Sequence, residues 1–237
     1  MLFRSGGRRI ASAPNLPLDD FPLADHLEHT FGLPATLIND GRASAWGEFL
    51  RGHARDSDPL LCLFFGTGIG IGLMLGRRPL EGNTNAAGEI GHTLFRPGGR
   101  MCPCGEAGHF EAYCGGRAIT ERAKAELGPA PGGGEWTVGQ VAASPSAAAQ
   151  AILREAEEAA CTLTANACTL LNPGAVVLGG GVLSGWPGLR TRIEQFVRAH
   201  CSRSITASLR FVDSLGGSDA ILWGAAAATG ALQLHRD

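Results

Sequence analysis

The stretch from Pro59 to Gly76, PLLCLFFGTGIGIGLMLG, carries no charged residue and is nearly long enough to cross a bilayer as a helix. Glycines at 66, 68, 70 and 72 make a helix unfavourable there, because each must give up more backbone freedom than any other residue. The same residues suit a buried strand, LLCLFF, then a turn, GTGIG, and a second strand, IGLML. AVVLGGGV repeats the pattern of an apolar strand running into glycines, and ASLRFVDS reads as a further strand. Strands without a polar face need cover on both sides, so the chain is expected to be an α/β protein with a largely parallel or mixed sheet.

Helical patterns lie between these strands. Leu23, Leu27 and Phe31 fall at helical spacing, Gly32 suits a left-handed stop and Pro34 bars continuation. ATLIND then reads as a short strand, with a helix, GRASAWGEFL, starting directly after Asp40. GGRAITERAKAEL is helical, and GPAPGGGEW is the one linker-like segment. Ser144 and Pro145 are read as the cap and first turn of a long helix with an apolar stripe of Ile152, Ala156, Ala160, Leu163, Ala167 and Leu170. Asn172-Pro173-Gly174 stops it. GLRTRIEQFVRAH is amphipathic, and residues 218–235 form a final helix.

With 237 residues, 44% of them apolar and 18% charged, the chain can bury a substantial core as one large domain or two small ones. Net charge is -2, and the basic residues are scattered apart from the pairs Arg8-Arg9 and Arg77-Arg78, which argues against a nucleic-acid surface. No apolar stretch follows MLFRSGGRR, so no signal peptide or membrane partner is expected. The seven cysteines are then expected to be reduced, in the cytoplasm.

Several residue groups could carry chemistry. His92, Cys102, Cys104 and His109 are four borderline-soft ligands within a short glycine-rich segment, and zinc takes four such ligands in a tetrahedron. On spacing alone a zinc clasp and two free thiols beside two surface histidines stand level. A redox pair is disfavoured, since Cys-Pro-Cys is tight for an unstrained disulfide. Asp40, preceded by Asn39 at a helix start, can accept a proton from a hydroxyl during group transfer, and the helix end favours its ionised form. Read alone, Asn-Asp in that place is a cap rather than a base, and Glu89 and Glu111 are solvated charges. Gly66-Thr67-Gly68 between strands could cradle phosphate with backbone N–H groups, though such turns are common in hairpins. It is not a Walker loop, having no Lys-Ser/Thr after it.

GEIGHTLFRPGGRMCPCGEAGHFEAYCGGRA resembles the signature of the ROK family of sugar kinases and sugar-responsive repressors. NDGRASAWGE, GTGIGIGLML and LLNPGAVVLGGGVLSG follow the family order, so the resemblance runs from Asn15 to the C-terminus. It implies an actin-like ATPase (ribonuclease H-like) fold, Asp40 as the catalytic base, and Asn39, Glu89, His92 and Glu111 as sugar-binding residues. It assigns Gly66, Thr67 and Gly68 to phosphate and Gly179, Gly180 and Gly181 to adenosine, with ATP and Mg2+ as cofactors. In the family one histidine and three cysteines hold zinc. Here His109 stands in place of the third cysteine, so the expected structural Zn2+ site is His92, Cys102, Cys104 and His109.

One part of the family pattern is missing. No Asp-x-Gly-Gly-Thr lies upstream of Asn15, and residues 1–17 resemble the family's last strand before the sugar-site helix. The expected organisation is therefore a truncated N-terminal domain over residues 1–57 and a complete C-terminal domain over 58–237, with the final helix packing back toward the first. A sheet edge normally covered would be exposed, favouring a homodimer. The expected activity is ATP-dependent phosphorylation of a hexose or N-acetylhexosamine, at the 6-hydroxyl. The competing expectation is a sugar-binding regulatory domain without catalysis. N-acetylmannosamine, allose and fructose kinases of the family share features with this chain, and the sequence does not choose among them.

Overall fold

The two apolar runs that frame the sequence end up side by side. The computed structural model describes residues 2–4, 8–12, 18–55, 57–216 and 219–230. Strand β1 (Leu2–Arg4) and β2 (Arg9–Ser12) precede helices α1 (Leu23–Phe31) and α2 (Asp40–Arg51). Then come β3 (Leu60–Phe65), β4 (Ile69–Leu75) and β5 (Arg78–Pro79), a single 3-10 turn at Ile90–His92, and helices α3 (Glu111–Cys114), α4 (Gly116–Leu127), α5 (Val138–Ala143) and α6 (Ala147–Leu171). The chain continues through β6 (Ala175–Gly179), α7 (Gly181–Gly185), α8 (Leu189–His200), α9 (Arg203–Thr206), β7 (Arg210–Asp213) and α10 (Asp219–Ala228).

Among the described residues the main sheet has the order β5-β4-β3-β6-β7. β3 pairs antiparallel with β4 and parallel with β6, and β6 pairs parallel with β7, so the sheet is mixed. Side chains alternate across it with the period of two that a pleated strand imposes. Leu61, Leu63, Phe65, Val176 and Leu178 face a core built with α4, α6 and α8. Leu60, Cys62, Ala175 and Val177 face the opposite way, onto Ala45 and Phe49 of α2. Burying each large aliphatic or aromatic side chain of these layers contributes about 1.5–3 kcal/mol.

α2 sits unusually close to its neighbours, and glycines make that possible. A Cβ at Gly72 would overlap the carbonyl oxygen of Gly41, and one at Gly41 would overlap the carbonyl of Ile71, so the first turn of α2 rests backbone to backbone on β4. On its other side, a Cβ at Gly47 would strike Ala220 of α10, and one at Gly224 would strike Ala43 of α2. Gly224→Ala is therefore expected to force the two helices apart. Overpacking costs about 1–3 kcal/mol or more, and the roughly 1 kcal/mol gained in helix propensity offsets only part of it. A lowered midpoint in urea unfolding checks this; an unchanged midpoint would show that the helices can part freely.

Several expectations need correction. ATLIND forms no strand: residues 34–39 are irregular, and among the described residues no strand pairs with them to take up their backbone hydrogen bonds. Leu2–Arg4 and Arg9–Ser12 are two antiparallel strands rather than one strand, with Phe3 opposite Ile10 and Arg4 opposite Arg9. The long helix starts one cap later than expected. Ser146 Oγ accepts from Ala149 N at 3.1 Å, whereas Ser144 closes α5. α5 is itself unforeseen, although its capping box, Thr137 with Gln140, is legible in the sequence. Of the α6 stripe, Leu170 is 82% exposed, and Leu171 packs on the core instead. The final helix is described over Asp219–Ala228, and residues 231–237 lie outside the described part. No helix among the described residues is long and apolar enough to cross a membrane.

Candidate active site

Asp40 opens α2. Asn39 is its N-cap, with Oδ1 accepting from Arg42 N at 3.2 Å, and Asp40 Oδ1 accepts from Gly41 N at 2.9 Å. The sequence reading of Asn39 as a cap is thus correct, and it leaves Asp40 exposed at the front of a helix that β4 and α10 hold from two sides.

Two clefts meet at this residue. One, of about 870 Å³, is lined by Asn39, Gly66, Thr67, Gly68, Glu89, His92 and Glu111. The other, of about 620 Å³, is lined by Gly179, Gly180, Gly181, Arg190, Asp213 and Ser214. Asp40, Gly41, Phe64 and Gly70 belong to both. The expected site residues therefore come together in two groups, and the Gly66–Gly68 turn lies with the acidic group rather than with Gly179–Gly181. The two glycine turns are nevertheless in contact. Gly180 has φ +101°, and any Cβ there would overlap the backbone of Phe65, just before Gly66.

The Gly66 amide is taken by the carbonyls of Phe64 and Gly68 at 3.1 and 2.9 Å, while the turn's own carbonyls accept from Gly116 and Arg117 at 2.8 and 2.9 Å. Glu111 Oε2 accepts from Ile69 N at 2.7 Å, and Gly68 has no room for a side chain against that carboxylate. One oxygen of Glu111 thus fixes the turn. Glu89 Oε2 lies 3.8 Å from His92 Nε2, so the imidazole edge facing away from the cysteines points toward an acid.

The other edge of His92 faces the thiol cluster. Its Nδ1 is 3.6 Å from Cys102 Sγ, and His109 Nδ1 is 3.2 Å from Cys104 Sγ. One ligand atom from each of the four residues lies within 4.8 Å of all the others. In a tetrahedral zinc site, bond lengths of about 2.1–2.3 Å put ligand atoms roughly 3.3–3.8 Å apart, so a small inward movement would close this set on an ion. The loop is preshaped for it. Cys102 N donates to Glu106 O and Gly105 N to Cys102 O, both at 2.9 Å, and Gly105 and Gly108 have positive φ. Burial pushes the Cys102 thiol up to about 11, so a cation there would have to displace its proton. The loop is also tied down from outside: Arg96, Arg100 and Arg122 all converge on Glu155 of α6.

Sequence reasoning missed two buried charges on α2. Arg42 is 5% exposed; its Nη2 donates to Asn85 O at 2.6 Å and its Nη1 to Asn85 Oδ1 at 3.3 Å, which pins the loop leading to Glu89. Burial pulls its pKa below the ordinary arginine value, opposed by the charges of Glu81 and Glu89. Glu48 is fully buried. The available signal was a helix, GRASAWGEF, whose only charges sit where an amphipathic pattern offers no polar face.

Comparisons with known proteins agree on one group. The family model described as "ROK family" matches residues 2–231. The glucokinase of Streptomyces coelicolor is 29% identical over 72% of this chain, and the N-acetylmannosamine kinase of Vibrio vulnificus 33% identical over 87%. The chain spans 58% of the first relative and 68% of the second. Among solved structures, a ROK family glucokinase from Streptomyces griseus in complex with glucose and AMPPNP superposes with a TM-score of 0.75 at 27% identity, covering 97% of this chain and 79% of that one. The α/β architecture is accordingly the actin-like ATPase fold.

Proposed function

The chain belongs to the ROK family, and from that premise we propose that it transfers the γ-phosphoryl group of ATP to a hydroxyl, the 6-hydroxyl, of a hexose or N-acetylhexosamine. The observation that carries this reading is the position of Asp40 at the junction of two clefts, one rich in sugar-type ligands and one lined by glycine turns. Acceptor and donor would meet only there.

In this reading Asn39, Glu89, His92 and Glu111 hydrogen-bond the sugar, Asn39 also capping the helix through Oδ1, and Asp40 takes the hydroxyl proton as the oxygen attacks phosphorus. The Gly66-Thr67-Gly68 turn, whose Gly66 amide is bonded within the turn, would hold phosphate with the amides of Thr67 and Gly68, and the backbone of Gly179, Gly180 and Gly181 would hold adenosine. Magnesium accompanying the nucleotide would neutralise charge between its terminal phosphates. His92, Cys102, Cys104 and His109 would hold a structural zinc, and His92 would join the two sites, one ring nitrogen toward the metal and the other toward Glu89 and the sugar. The reading divides the chain at residue 57/58 and describes a cytoplasmic homodimer acting on a small sugar, without nucleic-acid or membrane partners.

A coupled ADP-release assay with glucose, N-acetylmannosamine, allose and fructose tests it. Turnover of at least one sugar with Mg-ATP is expected. Sugar-induced thermal stabilisation without turnover would replace the kinase with a sugar-binding regulator, and the absence of both would end the reading.

A further inference from the structure

Glu48 is an acidic side chain with no solvent exposure, and the phosphoryl-transfer scheme does not use it. It lies two turns along α2 from Asp40. Its Oε1 accepts from Ser214 Oγ at 2.6 Å and from Leu215 N at 2.8 Å, while its Oε2 is buried without a partner. A carboxylate buried this way is unfavourable unless its hydrogen bonds achieve something an apolar residue could not. The chain also keeps room for it. Gly52 has an ordinary extended conformation that any residue could adopt, yet a Cβ there would overlap Glu48 Oε2.

The two groups it holds begin the loop after β7. Ser214 and Gly216 line the cleft of the Gly179–Gly181 turn. Ser214 N also donates to Leu178 O at 3.3 Å, and a Cβ at Gly179 would press on the Ser214 side chain at 3.0 Å. The loop then leads to α10, which packs on α2 through Gly47 and Gly224. Glu48 is therefore the direct polar link between the helix that begins with Asp40 and the wall of the cleft assigned to nucleotide.

We infer that Glu48 is a positioning residue for nucleotide: its buried carboxylate fixes the Ser214–Gly216 loop against the Gly179–Gly181 turn, and so sets nucleotide affinity without touching the sugar. This rests on the assignment of that cleft to nucleotide. The test is calorimetric titration of the full chain with Mg-ADP and, separately, with glucose and N-acetylmannosamine. Because removing the shared acceptor leaves two buried donors unpaired, Glu48→Ala is expected to weaken Mg-ADP binding about tenfold or more, and Ser214→Ala, which removes one of the two bonds, about three- to fivefold. Sugar affinity stays within about twofold. Glu48→Gln keeps an acceptor at Oε1 and is expected to retain Mg-ADP binding within about twofold, even with a lower melting temperature. The double variant Glu48→Ala/Ser214→Ala loses less than the sum of the singles, as partners in one contact do. If Glu48→Ala does not fold, Ser214→Ala and Glu48→Gln still decide. Unchanged Mg-ADP affinity in Ser214→Ala, or a parallel fall in nucleotide and sugar affinity, overturns the inference and leaves the kinase reading intact. A wild-type chain that binds sugar but no Mg-ADP removes the nucleotide cleft and this inference with it.

Discussion

Asp40→Asn lowers turnover by about 10²–10⁴-fold, the range that a positioned general base supplies, while sugar and nucleotide still bind. The amide keeps the shape of the carboxylate and an oxygen that can accept from Gly41 N, as Asp40 does at 2.9 Å. It cannot take a proton from an attacking hydroxyl. A negative charge in the first turn of a helix is worth about 0.3–1 kcal/mol, so the same substitution should lower the melting temperature by only about 1–4 °C. Steady-state kinetics on the substrate found in the ADP-release assay, together with a melting curve, separate the two effects. A variant retaining more than a tenth of wild-type turnover would remove Asp40 from the chemistry, and the meeting of the two clefts would need another explanation.

On the proposed reading, Cys104→Ser is expected to lose the zinc and, with it, sugar affinity. Cys104 is exposed, 3.2 Å from His109, and lines the same cleft as Glu89, His92 and Glu111; serine keeps its size there, so a fall in sugar affinity that tracks metal loss is expected to act through the loop. Losing one of four ligands opens a site that needs all four to be closed. Elemental analysis is expected to drop from about one zinc per chain to a small fraction, and sugar affinity to fall about 10–100-fold, the usual effect of disturbing groups that orient a metal-bound histidine. Mg-ADP binding should hold, because Gly179–Gly181 and Ser214 line the other cleft. Wild-type protein that is free of metal yet binds sugar would show that Arg96, Arg100 and Arg122 on Glu155 are enough to shape this loop.

What could be read in advance was whatever local chemistry decides. LLCLFF and AVVLG have no polar face, so they had to be interior strands, and they pair in register from Leu60–Ala175 to Phe64–Gly179. The clustering of His92, Cys102, Cys104 and His109 was legible because the four residues lie close in sequence. ATLIND failed for the opposite reason, since a strand is completed by a neighbour, and alternation within one segment does not supply one. The α6 stripe slipped at Leu170 because helical phase drifts over a long helix, which a fixed spacing does not track. Arg42 and Glu48 were hidden more deeply. Charged residues in a short helix are presumed to face water, and only the three-dimensional contact with Asn85 and Ser214 shows that they point inward.

The glycine seam between α2 and α10 bears on how the molecule is made. A ribosome releases Asp40 long before Gly224, and until the later helix emerges the earlier one lacks its second support. Sheet strands β3 and β4 are adjacent in the chain and can pair early, but Asp40 reaches its final setting only after nearly the whole described polypeptide has been synthesised. Nascent chains should therefore pair β3 with β4 well before β6 and β7 complete the sheet and α10 closes on α2.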